Sequence, residues 1–122
     1  MTHPLFDHQA AMERVDQDIQ LLAELVEIFK SDYCNNIKDI EAGISSNNPT
    51  QVGKAAHAIK SALGNLGAMS CFDIALGLEN MGKTKNLTNA PDKLDLLTSE
   101  ISKFFIAFSE NKEHNQRNSL SA

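Results

Sequence analysis

Between Ile19 and Ile44 the apolar side chains fall at Ile19, Leu22, Leu25, Val26, Phe29, Tyr33, Ile37, Ile40 and Ile44, stepping mostly by three or four residues. Such steps keep side chains on one face of an α-helix, whereas a half-buried strand would bring them back every second residue. The segment predicts one long amphipathic helix whose apolar stripe needs cover from other elements. The rest of the chain offers more of the same. Asn48, with Pro49 after it and Gln51 three residues on, predicts a helix start, and that helix runs to about Leu66 and stops at Gly67. A third segment from Ala68 to about Lys83 carries Phe72, Ala75, Leu76, Leu78 and Met81, and is followed by a polar loop from Asn86 to Asn89. Asn89 and Pro91 open a last helix with Leu94, Leu97, Ile101, Phe104, Phe105 and Phe108 in helical register, fading by about Glu113. Asp7 to Val15 is a shorter helical stretch.

Short connections force neighbouring helices to run antiparallel, so the expected fold is all-α: an up-down-up-down four-helix bundle over residues 7–113, with a short N-terminal capping helix. Residues 114–122 are expected to form a polar, disordered tail. Composition agrees, since 122 residues with 6% aromatics, no Trp, Gly 6 and Pro 3 suit one helical domain better than a turn-rich β sandwich. A chain of this size buries roughly two thirds of its unfolded surface and needs no metal or disulfide staple. Cys34 and Cys71 lack any CxxC or Cys/His ligand spacing and read as reduced, small hydrophobic side chains. With 11 Lys+Arg against 16 Asp+Glu, formally -5, the chain would repel a phosphate backbone, which excludes nucleic acid as the expected partner. Met1 to Phe6 lacks a signal-peptide pattern and the longest apolar block, Phe104 to Phe108, is far short of a membrane span. A cytoplasmic protein with no membrane partner is the expectation.

The helix from Pro49 to Leu66 is unusual. Val52, Ala55, Ala56, Ile59, Ala62, Leu63 and Leu66 gather as the buried stripe. On the opposite side His57 has Gly53 one turn before it, Ser61 one turn after and Gly64 almost two turns after, with Lys54 and Lys60 flanking. A glycine on a solvent-facing helix costs about 1 kcal/mol relative to alanine, so small residues around one imidazole predict a shaved docking face. Lys60, three residues on, is expected to be an exposed cation within reach of an anion on the ring, contributing little to stability. A neutral imidazole is a nucleophile near physiological pH, and phosphoryl transfer asks for little beyond an in-line nucleophile and positive charge. A His with a Lys three residues later is, taken alone, usually only a solvated helix face. His3, His8 and His114 lie in polar terminal sequence and read as surface residues, and the Phe104, Phe105 and Phe108 stripe reads as core.

His57-Ala58-Ile59-Lys60-Ser61, then Asn65-Leu66-Gly67-Ala68, then Leu76 and Leu78-Glu79 resemble the signature of histidine-containing phosphotransfer (Hpt) domains, HxLKG or HxLKS with a downstream Gly and an LE pair on the next helix. Glu24-Leu25 and Phe29 resemble the family's ELxxxF pattern, so the resemblance spans roughly Asp7 to Glu110. Ser61 stands where many members have Gly, and Ile59 where many have Leu. The resemblance implies a phosphorelay intermediary: His57 accepts and donates the phosphoryl group, Lys60 stabilises charge, and Ser61 lets a partner approach. Gly53, Lys54, Ser61, Gly64, Glu79 and Lys83 are the expected partner-facing residues. The implied partners are a response-regulator receiver domain and a sensor or hybrid histidine kinase, with Mg²⁺ on the partner receiver, no cofactor or metal in this chain, and a monomeric state. The sequence shows no Gly-rich nucleotide loop and no HExxH, which argues for a phosphocarrier and against an enzyme. The alternative is a non-catalytic helical module that binds a receiver or kinase without phosphotransfer, which His57 and Lys60 together disfavour. Met1 followed directly by the bundle is the arrangement expected of a free-standing shuttle.

Overall fold

Polar caps set where the helices begin. In the computed structural model, which describes residues 3–121 and the side chains of 3–111, the Asp7 carboxylate accepts from the Ala10 amide at 3.1 Å and starts α1, His8–Arg14. Asp18 accepts from Leu21 at 3.1 Å and starts α2, Ile19–Ser45, while Asn48 accepts from Gln51 at 3.2 Å and starts α3, Pro49–Asn65. Each satisfies an amide that the first helical turn leaves without a partner. The helices α4, Met69–Thr84, and α5, Ala90–Ser121, complete an all-helical chain, with no strand among the described residues. The tail expected over 114–122 falls where side chains lie outside the described residues.

The cap of α4 is of another kind. Ala68 has no side chain to offer, and the Ser70 amide instead donates to the carbonyl of Pro4 at 2.9 Å. The Asp7 amide donates to the Gly67 carbonyl at 2.7 Å, so the segment before α1 seals the α3–α4 turn. Gly67 adopts φ +74, and a Cβ there would come within 2.6 Å of the Asp7 carbonyl oxygen. No other residue meets both conditions without strain. Phe6 stacks edge-on against Phe104 and Phe108, with centroids 5.8 and 5.5 Å away, and Ala11, Met12 and Val15 of the α1 region are buried.

Around the core, α2 packs on α3, α3 on α4, α4 on α5, and α5 closes back on α2. Leu22, Ile40, Val52, Ile59, Leu63, Leu78, Leu97, Ile101 and Phe104 are fully buried there. The stripe read from α3 is buried at Val52, Ala55, Ala56, Ile59, Leu63 and Leu66, with Ala62 half-buried. Phe104 and Phe108 are core residues as expected, with Phe105 half-buried beside them.

The tightest helix contact joins α3 to α4. A Cβ on Gly82 would lie 2.6 Å from the Gly53 amide nitrogen and 2.7 Å from the Pro49 carbonyl oxygen. Backbone, unlike a side-chain tip, cannot step aside, so Gly82→Ala is expected to lower stability by about 1–3 kcal/mol, the usual cost of overpacking. A Cβ on Gly53 meets nothing nearer than 3.8 Å. Gly53→Ala is therefore expected to be neutral or stabilising, by up to about 1 kcal/mol of helix propensity. Urea unfolding of both variants checks the asymmetry, and equal losses would show that the α3–α4 spacing is not set at Gly82.

Candidate functional site

His57 projects from the middle of α3 at the edge of the α3–α4 seam, with 62% of its side chain exposed. Below it, the Glu79 side chain of α4 is only 6% exposed. Glu79 reaches His57 through Oε2, 2.5 Å from Nδ1, and Lys60 through Oε1, 2.7 Å from Nζ. One carboxylate thus bridges the ring and the ammonium, both on α3. The close approach at Gly53 and Gly82 lies one turn from this bridge on each helix, which lets a side chain as short as glutamate span the seam. The Lys60 ammonium also lies 5.7 Å from the Phe72 ring centroid, a second favourable contact for a cation half out of water.

A buried carboxylate would ordinarily be harder to ionise. Here the hydrogen bond from Lys60 outweighs that desolvation and, with the His57 bond and the charge of Lys83, holds the Glu79 carboxyl below the usual glutamate range. An ionised carboxylate only accepts hydrogen bonds, so the atom facing it, Nδ1 of His57, carries the proton and donates. In the neutral ring the lone pair is then on Nε2.

The remaining expected residues divide. Lys54, Ser61 and Lys83 are exposed beside the ring. Gly64 is buried, with a Cβ there 3.2 Å from Phe72, and Gly53 is half-buried against Gly82. This corrects the expectation that both glycines shave a solvent face. Gly64 leaves room for the Phe72 ring and Gly53 lies where Gly82 crosses, because α3 has a second covered side, toward α4, that the pattern of α3 alone does not reveal. Lys60 is likewise not the exposed cation expected from the sequence, since 17% of its side chain is accessible and its ammonium is held by Glu79. Lys85, which no sequence motif singles out, lines the same recess as His57 from the C-cap of α4. Its position past the last turn was visible, but which side of the bundle it serves depends on a backbone turn, φ 59, that no residue pattern announces.

Cys34 is exposed and Cys71 buried, and burial pushes the Cys71 thiol up to about 12. His3 is exposed and bound to Asp73 on α4, consistent with a surface role. Among the described residues no helix is long and apolar enough to cross a membrane.

Comparison with known proteins agrees with this geometry. The family model described as "Hpt domain" matches residues 24–105. Among solved structures, the chain is similar to histidine-containing phosphotransfer protein B (HptB) from Pseudomonas aeruginosa PAO1, at 18% sequence identity and a TM-score of 0.80. That match covers 91% of this chain and 96% of the other, and shows a shared fold. Comparison with curated protein sequences gives no match. With two thirds of its length matched and a histidine and its partners gathered on one helix seam, the chain belongs to the Hpt family, the histidine phosphotransfer intermediaries of phosphorelays.

Proposed function

We propose that His57 is the phosphoryl carrier and that Nε2 is the atom that bonds to phosphorus. The observation that carries this reading is the Nδ1–Glu79 contact of 2.5 Å on a ring that is 62% exposed. It turns one nitrogen inward as a donor and leaves the other, with its lone pair, toward solvent. Nε2 attacks the phosphorus of an aspartyl phosphate in line, the P–O bond to that aspartate breaks, and the aspartate leaves as a carboxylate. The ring becomes cationic as the P–N bond forms, and the Nδ1–H bond to Glu79 becomes a charge-assisted one. Glu79 is a positioning residue that fixes the tautomer and steadies the developing charge. Lys60 holds Glu79 ionised and places positive charge beside the ring. Return transfer reverses these steps.

On this reading the four long helices run up-down-up-down, which is supported by the Gly82 approach to Pro49 and by the bond from the Gln51 side chain back to the Asp39 carbonyl at 2.9 Å. The chain acts as a cytoplasmic monomer and as a carrier without a nucleotide site. A receiver domain and a sensor or hybrid kinase are its partners. The divalent cation belongs to the receiver, since Glu79 is a single carboxylate already committed to Lys60 and His57. Lys54 and Ser61, exposed on the His57 side of α3, form part of the approach face.

Incubation with a phosphorylated donor is expected to place an acid-labile, base-stable phosphoryl group on the wild-type chain and none on His57→Gln. Equal labelling of the variant would move the site elsewhere. Ser61→Trp should suppress transfer while Ser61→Gly leaves it intact or faster, because residues one turn apart share a face. Unchanged transfer in the Trp variant would mean that the partner approaches from another side.

Lys60 also carries a stability prediction. Removing it leaves Glu79 buried without its strongest partner, so Lys60→Met should cost about 1–3 kcal/mol in chemical unfolding. The folded carboxyl of Glu79 titrates below the ordinary value that a glutamate keeps in the unfolded chain. The unfolded state therefore binds the proton first, so this contribution is complete above that value and is lost as pH falls through the lower folded one. Glu79→Gln should accordingly have a shallower acid limb than wild type, and parallel limbs would show that Glu79 gains nothing from its partners.

A further inference from the structure

The recess around His57 is lined by Lys54 from α3, Lys83 from the last turn of α4 and Lys85 from its C-cap. All three are exposed, and among the described residues none has a carboxylate at ion-pair distance. The recess holds one carboxylate, Glu79, which is bridged to His57 and Lys60. The surroundings of the ring are therefore cationic on a chain whose formal charge is -5. The contrast begins one helix away, where α2 exposes Glu24, Glu27, Asp32, Asp39 and Glu41.

Helix electrostatics explains only part of this. Lys83, near the C-terminal end of α4, complements the partial negative charge of the carbonyls there. Lys54 lies in the N-terminal half of α3, where a cation gains nothing from the dipole. Lys85 is costly for a different reason. Its φ of 59 and ψ of 33 are left-handed, the conformation in which glycine caps a helix without a Cβ clash. A lysine there carries backbone strain that a glycine would relieve.

We propose that Lys54, Lys83 and Lys85 form a cationic collar that draws the carboxylate-rich, cation-binding pocket of a receiver domain onto His57. The collar raises the encounter rate and turns the partner the right way round, while the acidic remainder of the chain repels other approaches. This rests on the reading of His57 as the phosphoryl carrier.

The test uses the full chain, phosphorylated at His57, and the receiver domain that accepts from wild type fastest in a panel of purified receivers. Second-order transfer rates are measured from about 10 mM salt, where charges act over about 30 Å, to about 1 M, where they act over about 3 Å. The variants are Lys85→Gly and the double change Lys54→Glu with Lys85→Glu. Lys83 is left in place because its charge reaches Glu79. The double variant should transfer about tenfold more slowly at low salt and converge on wild type at high salt. Lys85→Gly should show a higher thermal midpoint together with slower transfer at low salt, a combination that a structural role for Lys85 would not give. Wild-type rates in both variants, or a loss undiminished at high salt, would overturn the collar. So would a shortened lifetime of the isolated phosphorylated chain, which would assign the lysines to the bound phosphoryl group. If wild type exchanges phosphate with no receiver in the panel and takes none from a kinase, the reading of His57 itself falls.

Discussion

Glu79 is ionised with almost none of its side chain in water, and the arrangement of α3 and α4 follows from what that requires. A buried charge is tolerated only when its lone pairs are met by well-placed donors. Lys60 and His57 are those donors, both on one helix, three residues apart. The carboxylate can reach both only because Gly82 lets α4 lie against the backbone of α3 one turn away. A glycine contact, a buried acid and an exposed histidine are thus one mechanical unit, and moving any of them changes the direction in which the ring presents Nε2.

The relative register of the two helices depends on the turn between them. Gly67 reverses the chain in a left-handed conformation, and the turn is held by amides and carbonyls of the segment before α1 rather than by its own side chains. Pro4 and Asp7 supply those partners, and Phe6 anchors the segment on Phe104 and Phe108. Residues at the start of the chain and aromatic residues near position 108 therefore bear on which α4 side chain stands opposite His57. The link runs through backbone hydrogen bonds, which leave little freedom for a one-residue slip.

Charge is distributed with the same economy. Exposed carboxylates lie along α2, while the recess around the ring gathers lysines from two helices. The imidazole sits at the boundary between a dry seam, where its Nδ1 faces Glu79, and an open surface lined by lysines. On the proposed reading of His57, a carrier that must accept a phosphoryl group and release it again benefits from this division, because the ring is held at one nitrogen and open at the other.

Much of this was legible in the sequence. The step of three and four residues in α2, the Asn48-Pro49-Gln51 start of α3 and the stop at Gly67 are local signals, written in helix periodicity and capping chemistry. His57 and Lys60 were identifiable because their spacing on one helix is a local matter as well. The glycines were misplaced for the complementary reason. The pattern of α3 distinguishes apolar from polar positions but cannot say that a second neighbour covers the side bearing Gly53 and Gly64. Nor could it show that Lys60 would be drawn out of solvent, or that Lys85 would turn back toward the ring, since both depend on where α4 lies. The sequence by itself determined the helices, the side-chain caps that start α1, α2 and α3, and the place of His57 and Lys60 on one helix, each encoded within a few neighbouring residues. Only the tertiary structure decided the protonated nitrogen of His57, the burial of Glu79 and the company of lysines around it, because these arise from distances between helices far apart in the chain.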